Sequence, residues 1–297
     1  MEQMNLSCII PIGPNHRNNK NLIESIKADS GSTKFILVFD STPTEIKREL
    51  IEFSEKNASI TTIEVNANNP GGARNAGMKE CNTTWVVFFD ADDLFNTQVI
   101  TNYLKQSPTS ADAIVFNYLV QEASQAEMGK VKEDSRGKIV AFNRKQIARN
   151  PGIWRWVFKF ESIKSTSFRE LRMGEDIVFL IDFLLVKRQI DFSSEVVYVY
   201  NKENSMQLTR SHDAKQNLLA AFVSSLQSLS RNEKALPNVD LRVDLTSALM
   251  YSCIIHLKWR SKQKALQALL LFAMKSSFNL HLAYKIITSR LRIKSEG

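Results

Sequence analysis

The stretch that decides the fold is Trp85-Val-Val-Phe-Phe-Asp-Ala-Asp-Asp93, in which five apolar residues run directly into an acidic cluster of three aspartates. A short, uninterrupted apolar run is typical of a strand that is buried on both faces. Ligands of open α/β sheets bind beyond the carboxyl ends of the strands. We therefore predict a buried strand over residues 85–89 that ends in a functional acidic turn.

Apolar runs and polar segments alternate on both sides of this stretch. Apolar runs that end in proline, glycine or aspartate predict buried strands, and the polar segments between them predict helices. Such alternation is typical of βαβ units and a mainly parallel sheet. The pattern predicts strands at 6–12, 35–39, 59–65, 85–89, 113–120 and 196–200, and helices at 18–29, from 43, up to 79 and at 174–187.

The positive charge of the chain is concentrated at its C-terminal end. The chain has a formal net charge of +8, yet its first 250 residues hold 30 basic and 30 acidic side chains. The remaining residues hold nine basic side chains and one acidic one, Glu296. Beyond Ser211 the apolar pattern also becomes helical. We therefore predict an α/β domain over residues 1–211 and a basic helical region over residues 212–297.

Composition excludes several classes of protein. The three cysteines are few and widely spaced, which disfavours a disulfide framework and a thiolate zinc site. The four histidines lack metal-ligand spacing, and only His212 is placed where it could reach a metal. The residues after Met1 lack the basic region and small-residue cleavage site of a signal peptide, and the longest apolar stretches fall short of the roughly 20 residues that cross a bilayer. We expect a cytoplasmic protein without a transmembrane helix.

Asp90 and Asp92 stand one residue apart at the end of the predicted strand. At that spacing both carboxylates can face one hard cation, and carboxylate oxygens are ligands that Mg²⁺ and Mn²⁺ prefer. The alternative is a solvated turn in which Asp93 caps the following helix. The residues alone leave both interpretations open.

The glycine-rich stretch Gly72-Ala-Arg-Asn-Ala-Gly77-Met-Lys79 approaches the spacing of a phosphate-binding P-loop but lacks its Lys-Ser/Thr ending. No Gly-X-Gly-X-X-Gly follows the first predicted strand, which disfavours a dinucleotide enzyme. The glycines are also explained by close packing of a helix on the sheet.

Four of the segments that decide the fold occur in a recognisable order: Ile9-Ile-Pro-Ile12, Ile36-Leu-Val-Phe-Asp40, Gly72-Ala-Arg-Asn-Ala-Gly77 and Val87-Phe-Phe-Asp-Ala-Asp-Asp93. Three later segments follow: Trp154-Arg-Trp-Val-Phe-Lys159, Phe168-Arg-Glu-Leu-Arg-Met-Gly-Glu-Asp176 and Tyr200-Asn-Lys-Glu-Asn-Ser205. Together they resemble glycosyltransferase family 2, a group of inverting enzymes with the GT-A fold. The resemblance covers about residues 5–210. It implies a Rossmann-like, mainly parallel α/β sheet, to which this chain adds a C-terminal helical region.

The resemblance implies a nucleotide-sugar donor and a divalent cation, Mn²⁺ or Mg²⁺. Asp40 would contact the nucleotide base, and Arg74 would lie near the nucleotide. The family often has Asp-Asp-Gly-Ser where this chain has Asp40-Ser-Thr-Pro43, so one acid is missing. The residues implied are Pro11, Asp40, Arg74, Asp90 and Ala91 for donor binding, and Asp90 and Asp92 as metal ligands.

Glu175-Asp176 matches the family's Glu-Asp motif, whose aspartate is the expected general base, here Asp176. A carboxylate close to a second acid can have a raised pKa that suits it to take a proton from an acceptor hydroxyl. A base opposite the leaving group implies direct displacement with inversion. The alternative is that both acids only stabilise a helix N-terminus.

Trp154 and Trp156 flank Arg155 just ahead of the Glu-Asp motif. If this segment is a strand, both rings lie on one side of it and form a platform for an acceptor sugar. Tryptophans at this spacing are also typical of a protein core. We predict an acceptor-side role for both.

Two C-terminal segments carry apolar residues at helical spacing and basic residues on their polar sides. Such amphipathic helices suit an anionic membrane surface. The alternative is that their apolar faces pack on the catalytic domain or on a second subunit. Nucleic acid is disfavoured because no recognition module accompanies the charge. The apolar residues are Leu266, Leu269, Leu270 and Ala273, and Leu280, Tyr284, Ile287 and Leu291.

These features together predict a metal-dependent inverting glycosyltransferase. Its donor would be a nucleotide-sugar, with UDP as the expected nucleotide, and its acceptor a glycan or lipid-linked glycan. The expected role is surface polysaccharide or lipopolysaccharide synthesis at the inner face of the cell membrane. The alternatives are a sugar nucleotidyltransferase, which would need a Gly-rich, Lys-containing loop after the first strand, and a non-catalytic nucleotide- or glycan-binding module.

Overall fold

The computed structural model describes residues 5–107, 109–121, 147, 151–201, 217–230, 239–275 and 277–295. Three features of the sequence predictions lie outside these residues: His212, the boundary at residue 211 and the family-like segment beyond Asn201.

Strands and helices alternate over the first 90 residues, as predicted. Each observed element lies within a few residues of its predicted range, because continuous apolar runs form the strands. The elements are β1 (Leu6–Ile12), α1 (Lys20–Lys27), β2 (Thr33–Asp40), α2 (Thr44–Glu55), β3 (Ile60–Val65), α3 (Pro70–Lys79) and β4 (Trp85–Phe88).

The remaining elements include two short strands, β5 and β7, that the apolar pattern does not predict as such. Strand β5 has two residues, and β7 follows a 3₁₀ turn at Ile153–Arg155. The elements are β5 (Leu94–Phe95), α4 (Thr97–Gln106), β6 (Ala113–Gln121), β7 (Trp156–Lys159), α5 (Phe160–Ile163), α6 (Glu175–Phe183), β8 (Ile190–Asn201), α7 (Asn217–Ser230), α8 (Val239–His256), α9 (Trp259–Ala273) and α10 (Ser277–Ser295).

All eight described strands form one sheet in the order β3-β2-β1-β4-β7-β6-β8-β5. Strands β3, β2, β1 and β4 are parallel, while β7 and β5 run antiparallel to their neighbours. Because the chain leaves β1 first toward β2 and later returns to β4 on its other side, the strand order reverses at β1. Ligands of α/β sheets bind at such a switch point, beyond the carboxyl ends of the strands.

Contacts between residues divide the chain into two compact units. The first holds the sheet with α1 to α5, and the second holds α6 to α10. Helix α6 lies within the predicted α/β domain, yet it groups with the C-terminal helices. The reason is its packing: a Cβ atom added at Gly174, which precedes α6, would lie 2.8 Å from Ala221 in α7 and 3.2 Å from Leu249 in α8.

The core of the first unit lies on both faces of the sheet. Cys8, Phe35, Val87 and Val157 belong to one apolar cluster, in which Phe89 stacks on Phe95 with ring centroids 4.5 Å apart. All three cysteines are free thiols, as their wide spacing predicts. Because Phe88 and Phe89 are both fully buried, the strand that leads into the acidic cluster is held on either side.

Helix α3 packs against the sheet through Gly77. A Cβ atom at this position would lie 2.5 Å from Cγ2 of Ile9 in β1 and 3.2 Å from Cγ2 of Val38 in β2. Only glycine at position 77 therefore allows the backbone of α3 to approach the sheet this closely. This contact confirms that Gly77 serves close packing of a helix on the sheet, whereas a Cβ atom at Gly72 would lie 2.7 Å from Cβ of Ala67 in the preceding loop.

Substitution Gly77→Ala is expected to destabilise the protein. Overpacking of a tight core costs about 1–3 kcal/mol, which exceeds the gain of about 1 kcal/mol in helix propensity when alanine replaces glycine. The free energy of unfolding in urea measures the difference. The matched control is Gly13→Ala, because a Cβ atom at Gly13 would meet nothing within 4 Å. A stabilised Gly77→Ala variant would contradict the packing described.

Candidate active site

The carboxyl ends of β1, β2 and β4 lie at one edge of the parallel part of the sheet. Ile12 pairs with Phe39 at the ends of β1 and β2, and Ile9 pairs with Phe88 at the end of β4. The Thr42 hydroxyl donates a hydrogen bond to the carbonyl of Ile12, which joins the first two ends. This edge carries every residue predicted to bind the donor or the metal.

Asp40, the last residue of β2, holds the loop that precedes α3. Its Oδ1 accepts hydrogen bonds from the backbone N–H groups of Ala67 and Asn68, each at 2.9 Å, and its Oδ2 accepts one from Asn69 at 3.1 Å. The side chain is buried, with the residue 4% exposed. The structure therefore gives Asp40 a positioning role, while its predicted contact with a nucleotide base stays a prediction.

Two residues beside Asp40 adopt the left-handed backbone conformation. Ser41 has a φ of 55° and Asn68 a φ of 56°, and the Ser41 hydroxyl donates to Oδ1 of Asn68 at 3.3 Å. Non-glycine residues in this region are uncommon and tend to occur at functional sites. Both lie at the switch-point edge, next to the carboxylate that organises the loop.

Arg74 reaches Asp90 from α3. Helix α3 begins at Pro70, and the Asn69 side chain caps it by accepting from the Gly72 N–H at 2.7 Å. Arg74 therefore lies in the second turn, where its Nη2 donates to Oδ1 of Asp90 at 2.9 Å. The Arg74 side chain is 5% exposed and that of Asp90 is 36% exposed. The buried cation thus holds a carboxylate that still faces solvent.

The acidic turn, residues 90–93, is held by hydrogen bonds on both sides. The Asp93 N–H donates to the Asp90 carbonyl at 3.4 Å, and Nδ2 of Asn21 donates to the Asp92 carbonyl at 3.2 Å. Ala91 is buried, whereas Asp90 and Asp92 on either side of it are half-buried. The alternative role of Asp93 as a helix cap is wrong, because the side chain of Asn96 caps α4.

Asp93 instead accepts a hydrogen bond from a residue that sequence spacing does not reveal. The Tyr198 hydroxyl in β8 donates to Oδ2 of Asp93 at 2.7 Å. Burial raises the pKa of Tyr198 well above its usual value, and the nearby carboxylates of Asp93, Asp90 and Asp92 raise it further. The hydroxyl therefore keeps its proton at neutral pH and remains a donor.

Substitution Tyr198→Phe is expected to lower the free energy of unfolding by about 1–3 kcal/mol, because a buried carboxylate loses a donor. Urea unfolding followed by fluorescence measures this loss. The control Tyr284→Phe removes a hydroxyl from a residue that is 60% exposed, and we expect a change within about 0.5 kcal/mol. Equal stability of the two variants would show that the Tyr198 contact does not support the acidic turn.

The acidic turn has the chemistry of a divalent-cation site. Within the described residues, no group of three or more His, Cys, Asp and Glu side chains is placed to hold a metal ion. Mg²⁺ is commonly bound through only one or two carboxylates together with substrate phosphates and water. Two half-buried carboxylates, Asp90 and Asp92, fit that requirement when a diphosphate supplies further oxygens.

The predicted aromatic platform is wrong. Trp154 lies in the 3₁₀ turn before β7, is 5% exposed, and stacks on Tyr198 with ring centroids 4.3 Å apart. Trp156 lies in β7, is fully buried and stacks on Phe158. Because the 3₁₀ turn interrupts the strand at Arg155, the two rings do not share one strand face. Both tryptophans are core residues.

Glu175 and Asp176 are the first two residues of α6, in the second unit. Glu175 is buried, with 6% exposure, and Asp176 is half-buried. Oδ1 of Asp176 accepts the N–H of Ile177 at 2.8 Å. Gly174, with a φ of 83°, turns the chain into this helix. The pair therefore begins a helix, and its role as base stays a prediction.

The model of the family described as "Glycosyl transferase family 2" matches residues 8–173 of this chain. The match includes the carboxyl ends of β1, β2 and β4, with Asp40, Arg74 and the acidic turn. Glu175 and Asp176 lie just past it.

Three individual proteins are similar to this chain. The chain is 23% identical over 188 residues to the teichoic acid poly(glycerol phosphate) polymerase of Staphylococcus epidermidis. The aligned residues cover 60% of this chain but only 25% of that relative. Residues 1–349 of Staphylococcus aureus TarS, solved with UDP-GlcNAc, superpose with a TM-score of 0.66 at 16% identity over 90% of this chain and 80% of that one. The mannosyltransferase PcManGT of Pyrobaculum calidifontis, solved with GDP-Man and Mn²⁺, gives a TM-score of 0.54 at 12% identity over 98% and 87%. The two solved structures share the fold.

Proposed function

The chain belongs to glycosyl transferase family 2, and from that premise we propose that it moves a sugar from a nucleotide-sugar to a hydroxyl acceptor with inversion, in a metal-dependent reaction. The observation that carries the proposal is the pair of Arg74 and Asp90 at the switch point. It joins a buried cation to a carboxylate that remains accessible to a ligand.

Arg74 would stabilise the leaving group. Departure of the sugar leaves an additional negative charge on the terminal phosphate of the nucleoside diphosphate, and a cation held in a largely buried position stabilises charge that develops beside it. Because Arg74 is already ion-paired with Asp90, its guanidinium needs no rearrangement to stay at this edge. The divalent cation, when bound to Asp90 and Asp92, would supply further positive charge to the diphosphate.

The remaining donor residues would fix the nucleotide. Asp40 orders the loop over residues 67–69 and the start of α3, from which Arg74 projects. Pro11 and Ala91 adjoin the ends of β1 and β4, where backbone can approach a ligand closely. We assign the base contact to Asp40 and its loop, and the ribose contact to Asp90.

Asp176 would act as the general base and Glu175 as its supporting acid. The acceptor hydroxyl gives its proton to the Asp176 carboxylate as its oxygen bonds to the anomeric carbon. The bond from that carbon to the diphosphate oxygen breaks in the same displacement. A single displacement inverts the anomeric configuration.

We propose UDP as the donor nucleotide and a glycan or lipid-linked glycan as the acceptor. UDP-GlcNAc is bound by TarS, the structure with the higher TM-score, while GDP-Man is bound by the mannosyltransferase. We further propose a role in cell-surface polysaccharide or lipopolysaccharide synthesis at the inner face of the cell membrane. The relative named as a teichoic acid polymerase supports the cell-surface part of this proposal.

Titration calorimetry with UDP, GDP, dTDP and CMP, each with Mn²⁺ and again with a chelator, tests the donor assignment. We expect tight binding of UDP that the chelator weakens strongly. Weak binding of all four nucleotides, in either condition, would overturn the proposal. Preferred binding of another nucleotide would keep the transferase and replace the donor.

A further inference from the structure

Helix α9 carries two apolar stripes, and only one of them is used inside the protein. Ala265, Leu269 and Phe272 are buried, and α9 packs on α7 and α10. The second stripe faces solvent. Its members are Trp259, Leu266 and Leu270, with Met274 one residue past the end of the helix, and they are 70%, 52%, 60% and 74% exposed. Leu271, beside this stripe, is also 63% exposed.

The exposed residues of α9 form a continuous line. Their separations are seven, four and four residues, which brings them to one side of a helix with 3.6 residues per turn. Helix α10 has a similar line in Leu280, Tyr284 and Ile287, which are 60%, 60% and 48% exposed. We call these two lines the exposed apolar stripes. Large side chains exposed in rows, unlike single exposed ones, mark an interaction surface.

The charge around the stripes is positive and unpaired. Lys258, Arg260, Lys262, Lys264 and Lys275 lie in or beside α9, and within the described part of the chain none forms an ion pair with a carboxylate. No aspartate or glutamate occurs between Asp244 and Glu296. Lys285 in α10 does have a partner, Asp240, at 3.6 Å.

These two properties select one kind of partner. A second copy of the chain would bring the same unpaired cations against each other. An anionic phospholipid surface instead offers negative headgroups to the cations and acyl chains to the apolar residues. Among the described helices none is both long and apolar enough to cross a membrane. Contact along the surface is the arrangement that uses both properties.

We propose that the exposed apolar stripes of α9 and α10 lie on the surface of an anionic phospholipid bilayer, with the cations of α9 at the headgroups. The inference rests on the proposed function in one respect, because it takes from that function a lipid-linked acceptor. Contact with the membrane explains how the enzyme reaches this acceptor. The contact itself needs neither donor nor acceptor. Trp259 suits this position, because tryptophan favours the interface between headgroups and acyl chains.

Co-sedimentation of the full chain with vesicles tests the proposal. One set of vesicles is pure phosphatidylcholine, and the other contains phosphatidylglycerol at three parts in ten. We expect at least tenfold stronger partitioning onto the anionic vesicles. The double substitution Lys264→Gln with Lys275→Gln should weaken that partitioning by about thirtyfold, since each cation near an anionic surface contributes about 1 kcal/mol.

The apolar contribution has its own variant and control. Leu266→Gln with Leu270→Gln should weaken partitioning at least tenfold. Val186→Gln removes an apolar side chain that is 51% exposed but lies outside the stripes, and it should change nothing. Equal partitioning onto neutral and anionic vesicles, or no partitioning, would overturn the proposal. A dimer in sedimentation velocity that the leucine variant dissociates, without vesicle binding, would assign the stripes to a subunit interface and overturn it too.

Calorimetry with UDP on the same variants separates this inference from the proposed function. If the chain binds nucleotides but not vesicles, only the proposed membrane contact is contradicted. If it binds vesicles but not nucleotides, only the donor assignment is contradicted.

Discussion

Replacement of Asp176 by asparagine is expected to lower kcat for sugar transfer by about 10²- to 10⁴-fold, the usual contribution of a general base. The amide has nearly the same shape as the carboxylate but cannot take the proton of the acceptor hydroxyl. Donor binding should stay within twofold of that of the unmodified chain, because the proposed donor contacts come from other residues. Initial rates of transfer and calorimetry with UDP measure the two quantities separately.

The control for this variant is Glu170→Gln, which removes an exposed carboxylate from the segment just before α6. It should leave both kcat and donor binding unchanged. An Asp176→Asn variant that keeps its kcat would show that Glu175 and Asp176 serve only the N-terminus of α6. A variant that loses donor binding along with kcat would contradict the separate roles of base and donor residues.

Replacement of Asp92 by asparagine is expected to weaken metal-dependent donor binding at least about a hundredfold, since even outer contacts to a bound metal account for 10- to 100-fold. An amide oxygen carries no net charge and binds Mn²⁺ or Mg²⁺ more weakly than a carboxylate does. In a chelator the variant and the unmodified chain should bind UDP equally. Calorimetry in both conditions gives the comparison.

Glu55→Gln is the matched control for Asp92→Asn, because Glu55 is an exposed carboxylate at the end of α2 in the same unit. We expect no effect on metal-dependent binding. If Asp92→Asn weakened binding equally with metal and with chelator, Asp92 would support the acidic turn without holding a cation. Urea unfolding of the variant distinguishes a damaged turn from a lost ligand.

The strands and the acidic turn are predictable from the sequence because they depend on local patterns. The five apolar residues before Asp90 have no amphipathic period, and a run this short that is rich in aromatic and β-branched residues favours a strand buried on both faces. Asn69 with Pro70 gives the start of α3. Residues one turn or one strand apart carry this information.

Contacts between distant segments could not be predicted in the same way. Asp40 binds N–H groups 27 to 29 positions away, and Tyr198 binds Asp93 across 105 positions. The Asp40 contacts cannot be predicted from residue type, since nearly every residue has a backbone N–H. The error at Trp154 has a local cause: a 3₁₀ turn replaces the first residues of the expected strand.

The C-terminal helices show a third limit. Their existence follows from apolar periodicity, yet α9 carries apolar residues on more than one side, so periodicity alone does not say which side packs inward. The structure buries Leu269 and exposes its neighbours Leu266 and Leu270. It also groups α6 with these helices through Gly174, a contact that depends on residues up to 75 positions away.

Release of the nucleotide from UDP-, GDP-, dTDP- and CMP-sugars in the presence of Mn²⁺ tests the central claim most directly, because hydrolysis of the donor needs no known acceptor. Matched reactions with a chelator and with the Asp92→Asn variant serve as blanks. We predict slow release of UDP from one UDP-sugar by the unmodified chain, and none in either blank. Tight binding of UDP without release from any sugar would contradict this prediction and would leave an enzyme that acts only with its acceptor bound, or a nucleotide-binding module.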